Sequence, residues 1–193
     1  MVATETPDAI VVFGISGDLA QKKILPALYA LVRSGKLNEP VIGVAKTART
    51  LEQVRALVQG SLGKSNDVDP QARAHLIGLL RYGSGDYQDP ATFERLGKAL
   101  GCASQPLYYL AVQPTLFTTV IEGLAKSSLV DRARVVVEKP FGRTLASAQA
   151  LNRLLHSYFP DQAIFRIDHY LGKESVQNLI YFRFANPFFE TAW

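Results

Sequence analysis

Cysteine is almost missing from this chain. Cys102 is the single one among 193 residues. That excludes an internal disulfide framework and a cysteine-cluster metal site, and it suits a reducing compartment. Long apolar runs are missing too: none approaches the roughly 20 residues of a membrane-spanning helix. Met1 to Asp8 carry no positive region ahead of an apolar run, so no secretory leader is expected. A cytoplasmic location follows as an expectation, and a membrane is not an expected partner. A basic tract is also lacking. The 21 Lys+Arg and 17 Asp+Glu leave a formal charge of +4, but these charges are scattered. Nucleic acid is therefore not an expected partner, whereas an anionic small molecule fits. Disorder has no compositional support, because 48% of residues are hydrophobic and 20% charged. The length suffices for one large domain, or one domain and a piece of another.

What is present is organised around Ile10-Val11-Val12-Phe13-Gly14-Ile15-Ser16-Gly17-Asp18-Leu19-Ala20. Four apolar residues predict a buried strand at 10–13. Gly14 and Gly17 allow a tight turn and close approach of a ligand. Helical spacing then runs from Leu19 to Ser34. Strand, glycine turn and helix together make an anion site, because the first helical turn leaves backbone N–H groups free. A Rossmann unit holds a dinucleotide pyrophosphate in this way. The usual pattern has three glycines, and this stretch has two, so a glycine loop of any α/β protein is the alternative.

A second apolar strand, Val41 to Lys46, completes a parallel β-α-β unit. An acidic residue at its end would suit the ribose hydroxyls of NAD. Here stands Lys46, with Arg49 nearby. A cation suits the 2′-phosphate of NADP; the alternative is a solvated lysine at a strand end.

Helices are expected at 50–60, 70–80, 91–100, after Pro114 and at 145–157. Strands are expected near 81–82, 107–112, 133–137 and 163–165, and an aromatic strand at 179–185. The 133–137 strand ends on Glu138-Lys139-Pro140-Phe141-Gly142. Polar groups at strand C-termini face the ligand crevice of open α/β sheets, so Lys139 stands where chemistry is common. Pro140 restricts its backbone, and the Lys139–Pro140 bond is a candidate for the cis form. The densest polar cluster is Arg166 to Glu174. Asp168 could orient a histidine. His169 and Lys173, four apart, would converge on a helix and bind a phosphate. A surface helix of mixed charge is the alternative.

Taken together, GISGDLAQKKILPAL (14–28), GVAK (43–46), YYLAVQPTLF (108–117), VVVEKPFG (135–142), FRIDHYLGKESVQN (165–178) and RFANPFFE (183–190) resemble the N-terminal part of the glucose-6-phosphate dehydrogenase family. The resemblance covers nearly the whole chain. It implies an α/β fold: a Rossmann-like, mostly parallel sheet with flanking helices, plus the start of a β+α domain. The dinucleotide-binding domain would be 1–170, and 171–193 would begin the second, incomplete one. It implies oxidation of D-glucose 6-phosphate at C1 to 6-phosphogluconolactone, with hydride passing to NADP or, in some members, NAD. This is the entry step of the oxidative pentose phosphate route.

By the same resemblance, Gly14, Ile15, Ser16, Gly17, Asp18, Leu19, Ala20 and Gln21 would wrap the cofactor. Lys46 would grip the 2′-phosphate and Phe117 would lie near the cofactor. Lys139 would reach both cofactor and sugar; His169, Tyr170 and Lys173 would hold the sugar phosphate. Asp168 would orient a catalytic histidine that the family carries further downstream, outside these residues. No metal is implied. Members are homo-oligomers through the large second domain.

Two substitutions depart from the family pattern. Gln21 stands for a common lysine, and Lys46 for an arginine, which loses the bidentate geometry. Both bear on the preference for NADP over NAD. The expectation is a cofactor half-site without efficient turnover. The alternatives are a non-catalytic NADP-binding fragment and another Rossmann sugar oxidoreductase. Phe182, Phe184, Phe188 and Phe189 are expected to be exposed and to favour aggregation.

Overall fold

In a computed structural model, residues 6–62, 68–168 and 170–188 are described. Strands β1 (Ala9–Phe13), β2 (Val41–Ala45), β3 (Leu80–Ser84), β4 (Pro106–Leu110), β5 (Arg134–Glu138) and β6 (Ile164–Ile167) form a single sheet in the order β3-β2-β1-β4-β5-β6. All five pairings are parallel. Helices α1 (Leu25–Arg33), α2 (Leu51–Ser61) and α3 (Pro70–Leu79) lie in the β1-to-β3 half of the chain. Helices α4 (Pro90–Leu100), α5 (Phe117–Lys126) and α6 (Leu145–Tyr158) follow, and α7 (Glu174–Ala185) comes last. The fold is the expected Rossmann-like α/β sheet. Its strand order reverses between β1 and β4, and in such sheets the ligand crevice opens at that reversal, beyond the strand C-termini.

The central strand explains itself. All five β1 residues are buried. Side chains alternate across a strand, so Ala9, Val11 and Phe13 enter one core layer while Ile10 and Val12 enter the other. A strand covered on both faces has no place for a polar residue. The first layer gathers Phe13, Phe93, Tyr108, Phe117 and Val135 under α4 to α6. The second gathers Val12, Ile15, Leu25, Leu28 and Val41 under α1. Phe13 meets Tyr87 edge-on at 5.7 Å between ring centres.

Local signals set the helix ends. Thr50 accepts from the Gln53 N–H while Gln53 accepts from the Thr50 N–H, a reciprocal cap that starts α2. Asp69-Pro70 and Asp89-Pro90 start α3 and α4 with an accepting carboxylate followed by proline in the first turn. The helix expected from Leu19 to Ser34 has a π-helical opening at Ala20–Ile24. There the Leu25 N–H donates to the Ala20 carbonyl, five residues back. Pro26 brings no N–H to the next position, which is a physical reason for the ladder to shift here.

Two expectations need correction. Residues 179–185 are helical, within α7, and do not form a strand. Val176, Ile180 and Phe184 recur every four residues, so the aromatic-rich run also carries a helical period. A helix satisfies its own backbone, whereas an isolated strand would leave N–H and C=O groups unpaired. The second correction concerns Lys173. It is the residue before α7 and follows a turn at 170–172, so it stands ahead of the helix and not on one of its faces. No α7 residue is buried: Phe182 is 50% exposed and Phe184 75%, and Phe188, just past the helix, is 87% exposed. Phe189 lies outside the described residues, and so does His169.

Candidate functional site

The glycine turn leaves β1 toward the reversal of strand order. Gly14 has φ +81°, and a Cβ there would collide with the carbonyl oxygen of Ala111. Its N–H donates to the Val44 carbonyl at 2.7 Å. Gly17 donates to the Gly14 carbonyl at 2.9 Å, and Gln21 donates through its backbone to Gly17 at 3.0 Å. The Gln21 side chain also bends back, donating from Nε2 to the Ser16 carbonyl at 2.8 Å. Gln21 therefore ties the turn shut, a function that its neutral amide performs and a lysine ammonium would perform differently. Asp18 and Lys22 pair one helical turn apart at 2.8 Å on the exposed side.

The side chains of Ile15 and Ala20 are core, at 1% and 0% exposure. Ile15 lies over Gly43, where a Cβ would stand 2.6 Å from its Cδ1. At Gly17 a Cβ would meet only the Gly14 carbonyl oxygen, at 3.2 Å, so the front of the turn is clear. A clear glycine turn leading into a helix start fits a pyrophosphate, which backbone N–H groups bind without side chains. Ile15 and Ala20 can take part through their backbone alone. Leu19, 38% exposed, stands at the surface.

At the neighbouring strand ends, the Lys46 ammonium lies 2.7 Å from the Asp86 carboxylate. Hydrogen bonding from Lys46 holds that carboxyl below its ordinary value, and the Gln88 N–H acts the same way. The Tyr82 phenol donates to the Thr47 carbonyl. Burial raises its pKa, against the opposing pull of Arg49. Two cations, one carboxylate and one phenol thus collect where the adenosine end of a dinucleotide lies in this fold class.

On the other side of the reversal, Lys139 and Asp168 extend from the ends of β5 and β6 and pair at 2.7 Å. The two strands run in parallel register, with Glu138 opposite Ile167, so the residues just past them meet. The Tyr170 N–H donates to the Asp168 carboxylate at 2.9 Å. Lys173 Nζ lies 4.3 Å from the centre of the Tyr170 ring, and Lys139 Nζ lies 5.8 Å from it. Two ammonium groups therefore lie against one aromatic ring beside a carboxylate. The Lys139–Pro140 peptide is cis.

Phe117 takes a different place. It is 1% exposed, inside the core layer with Phe13 and Tyr108. Its ring is packed in the core, and the exposed residues of the loop before it are Gln113, Pro114 and Thr115. These line a cavity of about 890 Å³ together with Thr118, Phe141, Gly142 and Arg143. Sequence reasoning also missed a hydrogen bond of 2.6 Å from the Tyr109 phenol to Glu138, next to Lys139. Burial, and then this bond to a carboxylate, push the Tyr109 pKa upward. Asp86 was missed as a partner of Lys46. The signal was a carboxylate just past the end of β3, which is meaningful only once β3 is known to lie beside β2. Among the described residues, no group of three or more His, Cys, Asp or Glu is placed to hold a metal ion. Among the same residues, no helix is long and apolar enough to cross a membrane.

Comparison with known proteins joins these features. The family described as "Glucose-6-phosphate dehydrogenase, NAD binding domain" matches residues 11–178. Glucose-6-phosphate 1-dehydrogenase 1 of Mycobacterium tuberculosis is 42% identical over 186 residues, covering 96% of this chain and 40% of that protein. The cytoplasmic glucose-6-phosphate 1-dehydrogenase 6 of Arabidopsis thaliana is 39% identical over 204 residues, with the same two coverages of 96% and 40%. The crystal structure of glucose-6-phosphate 1-dehydrogenase from Mycobacterium avium superposes with a TM-score of 0.85 at 42% identity, covering 97% of this chain and 41% of that one. A glucose-6-phosphate dehydrogenase solved with its substrate glucose 6-phosphate gives 0.84 at 37% identity, covering 96% and 41%. The chain thus spans about 40% of the length of the curated relatives it matches.

Proposed function

The chain belongs to the glucose-6-phosphate dehydrogenase family and matches its nicotinamide-dinucleotide-binding domain; on that footing we propose that it serves the oxidation of D-glucose 6-phosphate at C1 to 6-phosphogluconolactone, with NADP as the acceptor. NAD remains the second cofactor to test, because Lys46 is already partnered by a carboxylate. When bound, the nicotinamide ring supplies the hydride acceptor. The protein supplies geometry and charge. The turn from Gly14 to Gln21 binds the pyrophosphate through backbone N–H groups, with Gln21 bracing it. Lys46 takes the 2′-phosphate. Lys139, Tyr170 and Lys173, with His169, bind the sugar phosphate, and two adjacent ammonium groups suit a dianion.

Asp168 serves as a positioning carboxylate. It orients the imidazole that accepts the C1 hydroxyl proton and favours its protonated form. By the family resemblance, that imidazole is carried downstream of the part matched here. Residues 171–193 begin a second unit, a reading supported by α7, which buries no residue.

One observation carries the proposal. The Lys139–Asp168 pair follows the C-terminal ends of β5 and β6, the same end of the parallel sheet at which the glycine turn leaves β1, and the Lys173–Tyr170 contact adjoins it. Two measurements test it. Titration with NADPH should show saturable binding that Lys46→Ala weakens selectively relative to NADH. Steady-state assay of a verified 193-residue product with glucose 6-phosphate should show little or no turnover. Turnover near that of full-length members would overturn the half-site reading, and absence of any dinucleotide binding would overturn the cofactor assignment.

A further inference from the structure

Asp86 has no assigned role, yet its carboxylate is held by both the Lys46 ammonium and the Gln88 N–H. The loop that carries it is built around a buried threonine. Thr92, 3% exposed, donates from Oγ1 to the Asp86 carbonyl at 2.8 Å. The Asp89 N–H donates to the same carbonyl at 3.0 Å. Gly85 donates to the Ala45 carbonyl at 3.1 Å, and a Cβ at Gly85 would strike Thr92. These bonds fix the loop against the end of β2, where Ala45 pairs with Ser84.

The side chain is equally constrained. Asp86 Oδ1 accepts from the Gln88 N–H at 3.1 Å, which turns Oδ2 toward Lys46 at 2.7 Å. The Lys46 side chain is 76% exposed and that of Asp86 43%, so a ligand phosphate can reach both. A phosphate that approaches the Lys46 ammonium must therefore replace a carboxylate and then remain beside it. At neutral pH a phosphate monoester carries a charge of about −1.5 to −2, so the second carboxylate contact is repulsive. Solvent and salt weaken this repulsion without removing it at such short range.

The geometry points to Asp86 as a specificity-determining residue that competes with the cofactor 2′-phosphate for Lys46 and so moderates discrimination between NADP and NAD. This rests on the reading of Lys46 given above. A carboxylate thus stands directly beside the ammonium that is read as the 2′-phosphate contact. The lost planar geometry of an arginine at Lys46 makes the competition more effective, because an ammonium is a point charge that one carboxylate can occupy.

The test uses the adenosine end of the cofactor alone. Calorimetric titration with 2′,5′-ADP and with 5′-AMP would be made on the chain, on Asp86→Asn, on Lys46→Ala and on the double variant. Asn keeps the oxygen that accepts from Gln88 and removes the charge. Asp86→Ser, checked by circular dichroism with the others, serves as a second neutral variant should Asn disturb the loop. Asp86→Asn should bind 2′,5′-ADP about three- to tenfold more tightly. Binding of 5′-AMP should stay within about twofold, and the gain should vanish in the Lys46→Ala background. Unchanged or weaker 2′,5′-ADP binding by both neutral variants would overturn the competition, while loss on Lys46→Ala alone would leave the Lys46 reading standing. If Lys46→Ala changes neither ligand, the Lys46 reading fails and this inference fails with it.

Discussion

Substituting Gly14 by alanine tests the glycine turn most directly, and Gly35→Ala is its internal control. Both glycines have positive φ, +81° and +69°. Either alanine must therefore adopt a conformation that an L side chain disfavours, at about 1 kcal/mol. The surroundings differ. A Cβ at Gly35 would meet nothing within 4 Å, whereas at Gly14 it would strike the Ala111 carbonyl oxygen and approach Val112 Cγ1 to 3.1 Å. The colliding atom is backbone at the end of a central strand, so relief requires β1 and β4 to shift. Overpacking of this kind costs about 1–3 kcal/mol. The expected destabilisation is thus about 1 kcal/mol for Gly35→Ala and about 2–4 kcal/mol for Gly14→Ala. With a urea slope of about 2 kcal/mol/M, the midpoints should fall by about 0.5 M and about 1–2 M. Urea unfolding followed by far-ultraviolet circular dichroism measures both. Equal losses for the two variants would refute the steric part of the reasoning. A Gly14→Ala loss below about 1 kcal/mol would refute the whole of it.

Three further outcomes are expected. Gln21→Ala removes the bond from Nε2 to the Ser16 carbonyl. It should cost about 0.5–1.5 kcal/mol of stability and weaken NADPH binding, while Gln21→Lys should not restore the brace; fluorescence titration reads the second effect. Alkaline pH should destabilise the fold. Burial pushes the Tyr87 phenol up to about 12 and raises Tyr108 and Tyr109 as well. The folded state therefore retains protons that the unfolded chain loses from about pH 10, so stability is full below pH 10 and falls above it. Tyr87→Phe should flatten that fall by about 1.4 kcal/mol per pH unit between the two values, as measured by urea midpoints at pH 9 to 11.5. Finally, the exposed aromatics of α7 and of the residues just after it should drive self-association. Sedimentation velocity should show concentration-dependent species that Phe184→Lys with Phe188→Lys abolishes, and an unchanged profile would remove α7 as the cause.

Much of the architecture was legible because its signals are local. Apolar β-branched runs marked β1, β2 and β5, and α3 and α4 fall where helices were expected, at 70–80 and 91–100. Gly14 was legible as a turn residue because no other residue tolerates its backbone angle easily. Lys139, Asp168 and Lys173 were singled out because they stand just past strand ends or in the one dense polar cluster, and the structure brings the three together around Tyr170. Phe117 is a different case: the resemblance placed it near the cofactor, and the structure adds that the amphipathic face of α5 turns its ring into the core. The run at 179–185 misled, since aromatic and β-branched residues satisfy a strand composition and a helical period alike.

Sequence by itself therefore determined the α/β class, the glycine turn and the family, since each depends on residues close together along the chain. Tertiary structure decided the partners: Asp86 for Lys46, Asp168 for Lys139, Glu138 for Tyr109. These contacts join strands that are neighbours in space through a parallel sheet. Parallel neighbours are separated by whole helices along the chain, so no local pattern records which side chains will meet.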